Sequence, residues 1–272
     1  MKELKEKKVL VTGAASGIGR ETALVFAREG SILLLADIDA YGLEELAGEL
    51  SDLGTECRTY LTDVTKWDQV KEMAEQVMKE FGSLDVLLNV AGVFVWADFT
   101  DTSLEDWEWM LGVNLWGPIH TMRAFLPGMM ERKSGHIVNV ASTGGLAAMF
   151  SLSAYAASKF ALVGLGEALL QELEEHNISL TTFCPGSTKT PIFDHIRVSG
   201  LNKDKLKKVF KIMNRMPADK TATIIVKAVK RDRTLVVTTL PGRLLYYMKK
   251  ISPALVRAQV RPVRKLFNTT MR

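Results

Sequence analysis

Cysteine is scarce in this chain: Cys57 and Cys184 are the only two among 272 residues. They stand far apart in apolar, strand-like contexts, so neither a disulfide framework nor a closely spaced metal motif can be built from them. The expectation is two buried free thiols in a reducing compartment and no metal site. Long apolar runs are also missing. None approaches the roughly 18 residues that a membrane-spanning helix requires. The start, Met1 to Lys8, is charged and lacks the apolar segment of a signal peptide, so a cytoplasmic protein is expected. A third absence is local: Leu240 to Arg272 contains no Asp or Glu but eight Lys and Arg. The whole chain carries +4, so subtracting this +8 leaves −4 on residues 1–239. No groove-reading motif accompanies the basic stretch, which argues against nucleic acid as a partner.

What is present alternates. Apolar runs at Lys7–Val11, Ser31–Ala36, Glu56–Leu61, Leu84–Leu88, His136–Ala141, Ile178–Cys184 and Thr234–Val237 read as buried strands. Helical patterns separate them at Arg20–Glu29, Ala40–Leu53, Trp67–Phe81, Leu104–Met130 and Ala154–Glu175. Pro118 is expected to bend the long Leu104–Met130 helix. Strands alternating with helices indicate an α/β fold, a doubly wound parallel sheet covered on both faces. Without linker or repeat, residues 1–239 read as one domain, followed by an amphipathic helical tail at 240–272.

Between the first strand and first helix lies Thr12-Gly13-Ala14-Ala15-Ser16-Gly17-Ile18-Gly19. A glycine-rich turn opening a helix presents free backbone N–H groups to a phosphate, which makes Gly13, Ser16, Gly17, Ile18 and Gly19 candidate cofactor contacts. The spacing Gly-x-x-x-Gly-x-Gly differs from the commoner Gly-x-Gly-x-x-Gly. Asp37 ends the second strand, where a carboxylate accepts ribose hydroxyls and repels a 2′-phosphate. No Lys or Arg stands at Ala14, Ala15, Ser16 or Ile38 to attract that phosphate, so NAD is favoured over NADP. Further on, Tyr155 and Lys159 are four residues apart on one helix face. An ammonium held near a phenol would lower its pKa from about 10 toward the working range of an acid/base group.

The set Thr12-Gly13-x-x-x-Gly17-x-Gly19, Asp63-Val64, Asn89-x-Ala91-Gly92, Asn114, Ser142, Tyr155-x-x-x-Lys159 and Pro185-Gly186 resembles the short-chain dehydrogenase/reductase family, in order and spacing, across roughly residues 5–240. Val90 departs from it, where the family more often has a second Asn. The resemblance implies a Rossmann-like sheet with the cofactor across the strands' carboxyl ends. It implies that Asp63 and Val64 contact adenine, and that Asn89, Ala91 and Gly92 line the ribose and support the central strand. Pro185, Gly186 and Thr188 would close over the nicotinamide. Asn114 would relay protons through a bent helix, Ser142 polarise the substrate oxygen, Tyr155 exchange the proton, and Lys159 bind the nicotinamide ribose. A homodimer or homotetramer is implied as well.

The implied activity is hydride transfer between NAD(H) and a secondary alcohol or ketone. Residues 187–215 fall where the family keeps a variable substrate lid. There Pro191, Ile192, Phe193, Ile196 and Val198, facing Phe94, Trp96, Phe99, Leu146, Met149 and Phe150, suggest an apolar lipid-, steroid- or retinoid-like substrate, although packing explains these residues equally well. His195 reads as a lid surface residue, and Lys203–Lys211 as a basic run. In the tail, Leu244, Tyr247, Met248 and Ile251 form one stripe. Arg257, Arg261, Arg264 and Lys265 oppose Val256, Val260, Val263 and Phe267 after a Ser252-Pro253 start. Such a tail fits an anionic membrane surface or a neighbouring subunit. The rival functions are dehydrogenation of a small polar alcohol and non-catalytic NAD(H) sensing.

Overall fold

In the computed structural model, residues 1–193, 195–206 and 215–271 are described. Lys207, Lys208 and Lys211 of the basic run, part of the 187–215 lid, and Arg272 of the tail lie outside the described residues. Seven strands form one parallel sheet: β1 (Lys8–Thr12), β2 (Ile32–Asp37), β3 (Cys57–Leu61), β4 (Val86–Asn89), β6 (Gly135–Val140), β7 (Ile178–Cys184) and β11 (Leu235–Val237). A short β5 (Val95–Trp96) pairs with β9 (Arg197–Val198), and β8 (Thr188–Lys189) with β10 (Met216–Pro217), outside the main sheet.

The order across the sheet is β11-β7-β6-β4-β1-β2-β3. The chain therefore winds outward in both directions from β1 and β4, and their carboxyl ends open a crevice where a ligand can enter. Register brings Ala36, Thr12, Asn89 and Asn139 into one row at that end. Both sheet faces are buried, which explains why the strands read as continuous apolar runs. On β1 and β2, Val9, Val11, Leu33 and Leu35 pack toward α1 (Gly17–Arg28) and α2 (Ala40–Asp52). Leu10 and Leu34 pack on the opposite face, toward α3 (Trp67–Phe81) and α5 (Gly117–Arg132).

The expected Leu104–Met130 helix is two helices. α4 (Leu104–Leu111) runs into a π-turn, Gly112–Trp116, before α5 begins. The Gly117 N–H reaches back to the Gly112 carbonyl, five residues earlier. Pro118 sits in the first turn of α5, so the irregularity is the π-turn rather than the proline. The long α6 (Ser153–Leu173) follows the expected pattern. The helix α7 (Ala218–Lys230) was not anticipated: Ile225, Val226 and Val229 bury beside α1 in the same core.

The tail is helical as expected, in α8 (Leu240–Ile251) and α9 (Pro253–Met271). The anticipated Leu244–Tyr247–Ile251 stripe faces outward, with those three residues 56%, 61% and 80% exposed. Tyr246 packs inward, and Lys249 Nζ donates to the Leu146 carbonyl at 3.0 Å. On α9, Val256 is buried and Val263 exposed. Cys184 is buried, while Cys57 is only half-buried. No helix among the described residues is long and apolar enough to cross a membrane.

Candidate active site

A cavity of about 540 Å³ runs along the carboxyl ends of β1, β2 and β4. Its walls include Gly13, Ser16, Gly17, Ile18 and Gly19 at one side, Asp37, Asp63 and Val64 at another, and Ala91 and Gly92 at the third. Ser16 stands at the N-cap of α1 without a side-chain capping bond, and the first turn of α1 holds no acid. The helix therefore turns uncompensated N–H groups and its positive end to the cavity, an arrangement suited to a pyrophosphate. Gly13 has φ +68°, and a Cβ there would lie 2.7 Å from the Ala91 Cα, so only glycine fits. Asp37 Oδ2 accepts from Ala15 N at 2.9 Å, and Oδ1 from Ile38 N and Asp39 N at 2.7 and 3.1 Å. The carboxylate is thus fixed at the cavity wall by three backbone donors, with one of its roughly four acceptor sites, on Oδ2, left for a hydroxyl. These residues fit a dinucleotide.

Several anticipated contacts are placed differently. Asn89 is buried: its Nδ2 donates to Asn139 Oδ1 at 2.9 Å and its Oδ1 accepts from Thr121 Oγ1 at 2.6 Å. Its side chain is engaged in tying β4 to β6 and α5, so the cavity wall here is Val90 to Gly92 instead. Thr188 is buried against Thr221 and the Gly186 carbonyl, while Thr190, Pro191 and Ile192 reach the cavity. Pro185 and Gly186 are held in place by hydrogen bonds from the Thr143 N–H to the Pro185 carbonyl and from the Gly186 N–H to the Thr238 hydroxyl. The reason is local pairing: β8 draws Thr188 toward β10 and α7.

The reacting groups collect where β6 ends. Ser142 follows β6, and its Oγ accepts from Gly144 N at 3.0 Å. A Cβ on Gly145 would lie 2.6 Å from the Lys159 carbonyl, so this glycine lets α6 press against the turn. That approach sets Tyr155 beside Ser142: a Cβ on Gly144 would lie 3.2 Å from the Tyr155 ring and 3.4 Å from Ser142 Oγ. Lys159 is buried and donates from Nζ to the Val140 carbonyl at 2.9 Å. It lies 6.0 Å from the Tyr155 ring centre and directly behind Gly92. Asn114, in the π-turn, is fully buried; Val93 N donates to its Oδ1 at 2.8 Å, and its Nδ2 donates to Val93 O at 3.0 Å and Ser158 Oγ at 3.2 Å. It joins the loop after β4 to α6.

The expected lowering of the Tyr155 pKa by Lys159 is not found. Burial raises the Tyr155 pKa, opposed by the neighbouring Ser142 hydroxyl. Burial also pulls the Lys159 ammonium down from 10.5 to about 8. Removal from water disfavours both charged forms and is the largest cause at each group.

On the substrate side, Phe94 meets the Tyr155 ring edge-on at 4.5 Å, and Phe193 of the lid meets Phe94 at 5.9 Å. Leu152 and Ile196 complete the cluster. Phe99 and Met149 are exposed, and Leu146 packs into a separate cluster with Leu162 and Cys184, so these three do not join it. A residue not assigned to the pocket from sequence does: Phe267 of α9 stacks on Trp96 at 5.6 Å and meets Phe150 at 5.0 Å. The distal tail helix thus adds an aromatic ring to the apolar wall above Tyr155. His195 is exposed at the cavity rim.

The family model described as short chain dehydrogenase matches residues 7–199. The chain belongs to the short-chain dehydrogenase family. Among its relatives within and around this family, a probable oxidoreductase, EphD, of Mycobacterium tuberculosis is 37% identical over 264 residues, covering 93% of this chain. The chain spans only 44% of that relative's length. A 3-oxoacyl-[acyl-carrier-protein] reductase of Thermotoga maritima is 36% identical over 193 residues, covering 71% of this chain and 78% of the relative. Among solved structures, a short-chain dehydrogenase/reductase of Burkholderia phymatum in complex with NAD superposes with a TM-score of 0.84 at 30% identity, covering 92% of this chain and 96% of the other. The short-chain dehydrogenase fold and its NAD-complexed neighbour agree with the parallel sheet and glycine-lined crevice.

Proposed function

We propose that this short-chain dehydrogenase transfers a hydride between NAD(H) and an apolar secondary alcohol or ketone. The observation that carries this reading is the placement of Ser142, Tyr155 and Lys159 against Phe94 and Gly92, two lining residues of a crevice whose other wall presents Asp37. Asp37 favours a cofactor with free ribose hydroxyls, because a 2′-phosphate would meet its charge. The α1 N-terminus binds the pyrophosphate, and Asp63 and Val64 border the adenine. When bound, the nicotinamide supplies or accepts the hydride.

The protein's own groups do the rest. Ser142 donates a hydrogen bond to the substrate oxygen. Tyr155 takes the hydroxyl proton in oxidation and returns it to the carbonyl oxygen in reduction. Lys159, behind Gly92, holds the nicotinamide ribose and supplies positive charge beside the phenol. Asn114 fixes the loop carrying Gly92 and Val93 and thereby positions Lys159's surroundings. The apolar cluster of Phe94, Phe193 and Phe267 admits a hydrocarbon portion and excludes water. The family relative named for a 3-oxoacyl substrate supports a ketone on an apolar chain.

Assay with NAD and NADP against a panel of secondary alcohols, from 2-propanol to 2-decanol, tests the reading. Tyr155→Phe is expected to keep NAD affinity within about twofold and to lower kcat by at least ~100-fold, the scale of acid/base catalysis. NAD binding without turnover of any alcohol or ketone would instead favour a sensor. We further propose that the tail meets an anionic membrane surface, since exposed Leu240, Leu244, Tyr247 and Ile251 share it with unopposed cations. Flotation with anionic vesicles should therefore be lost when Arg257, Arg261 and Arg264 are changed to Glu. A homodimer or homotetramer is the assembly proposed, to be read by light scattering.

A further inference from the structure

A second cavity, of about 460 Å³, lies at the β11 edge of the sheet and shares no residue with the dinucleotide crevice. Lys227 of α7, Arg231 and Arg233 of the turn after it, and Arg243 of α8 line it, with Tyr246 and Tyr247 beside them. Four cationic side chains and no carboxylate therefore border one space. The nearby acids are already engaged: Glu29 with Lys230 at 2.7 Å and Asp232 with the Met1 amine at 3.0 Å. Among the described residues, no ion pair joins any of the four cations to an acid. Arg243 is held in place, because its Nε donates to the Val237 carbonyl at 2.8 Å. Its terminal nitrogens keep their donors for a ligand.

We propose that this cavity binds a phosphate monoester. Four uncompensated cations repel one another, and a compact dianion relieves that repulsion better than a monoanion. Guanidinium forks match the geometry of phosphate oxygens, and tyrosine hydroxyls supply neutral donors. The ligand is either the headgroup of a lipid of the phosphatidic acid type or a soluble phosphate. The outward Leu244, Tyr247 and Ile251 of the same α8 helix offer apolar surface to the chains of the former. Lys227, Arg231 and Arg233 lie outside the basic tail. Although both readings use the exposed face of α8, changing these three tests the site without touching the α9 cations of the membrane reading.

The test uses the full-length protein and a triple variant, Lys227→Gln with Arg231→Gln and Arg233→Gln, whose fold is checked by its melting curve. Binding is measured to phosphatidylcholine vesicles doped with phosphatidic acid or, at matched charge, phosphatidylserine, and by calorimetry to glycerol 3-phosphate and inorganic phosphate. Preference for phosphatidic acid, weakened about 10-fold or more in the triple variant and by added salt, establishes the site with a lipid source. Saturable binding of glycerol 3-phosphate that the triple variant loses, without a vesicle preference, establishes it with a soluble source. Should the variant misfold, Arg231→Glu alone carries the comparison. Binding of no phosphate probe, or binding that neither variant changes, overturns the proposal. Equal binding to both anionic vesicles, untouched by the variants, overturns it while leaving the tail's membrane contact standing.

Discussion

Lys159 exacts a stability cost that its removal should reveal. The ammonium is 5% exposed, and burial lowers its pKa from 10.5 to about 8. That depression corresponds to ~3 kcal/mol of unfavourable charge burial at neutral pH. Lys159→Met keeps the length and flexibility of the side chain without the charge. It also strips the Val140 carbonyl of its 2.9 Å donor, which offsets ~1 to 2 kcal/mol. The variant should therefore be ~1 to 2 kcal/mol more stable than the wild type at pH 7, while losing activity. Between about 8 and 10.5 the unfolded chain holds the lysine proton that the folded chain has released, so rising pH stabilises the wild type. The variant's advantage should thus be full below about pH 8 and fade as pH climbs toward 10.5. Urea unfolding of both proteins at several pH values, without added cofactor, reads this directly. A variant less stable at pH 7, or an advantage that does not shrink with rising pH, would refute the reasoning.

Other perturbations have equally definite outcomes. His136 is buried and held neutral, its pKa lowered from 6.5 to about 4 by burial. Unfolding equilibria should show wild-type stability falling by ~3 kcal/mol as pH drops through that interval, with His136→Gln flattening the slope. Asp37→Asn should reduce the kcat/KM preference for NAD over NADP by roughly 100-fold, the scale of removing one like-charge contact of ~3 kcal/mol. Phe267→Ala should raise KM for 2-decanol about 10-fold while leaving 2-propanol and NAD nearly unchanged. An equal change for both alcohols would remove Phe267 from the pocket wall.

Much of the sheet was legible because burial on both faces writes itself as apolar runs. Ile178–Cys184 and Trp67–Phe81 end where the structure ends them. The glycine loop and Asp37 were legible because their chemistry is local: a turn needing positive φ, and a carboxylate at a strand's end. What escaped depends on distant parts of the chain. Thr190 rather than Thr188 reaches the crevice because β8 pairs with β10, a contact no local spacing shows. Asn89 supports the central strand as the resemblance implied, but that Asn139 takes up its amide follows from register and not from local spacing. The Tyr155–Lys159 spacing correctly predicts a shared helix but not that burial would govern both pKa values. α7 could have been found, since Ala222, Ile225, Val226 and Val229 carry helical spacing between its lysines. Phe267 gives no local sign that it returns to Trp96 and Phe150.

The π-turn at Gly112–Trp116 has a consequence for how this chain tolerates change. A π-turn accommodates one surplus residue in an otherwise continuous helix. Deleting a residue there would allow regular bonding from α4 into α5, and the helix itself would gain. It would also turn everything on one side of the deletion by about 100° relative to the other, the angle of one helical residue. Asn114 would release Val93, and the loop bearing Gly92 would lose its anchor to α6. The surplus residue therefore works as a key cut to one lock: a shorter chain would make the better helix, and the longer one keeps the crevice in register with Tyr155.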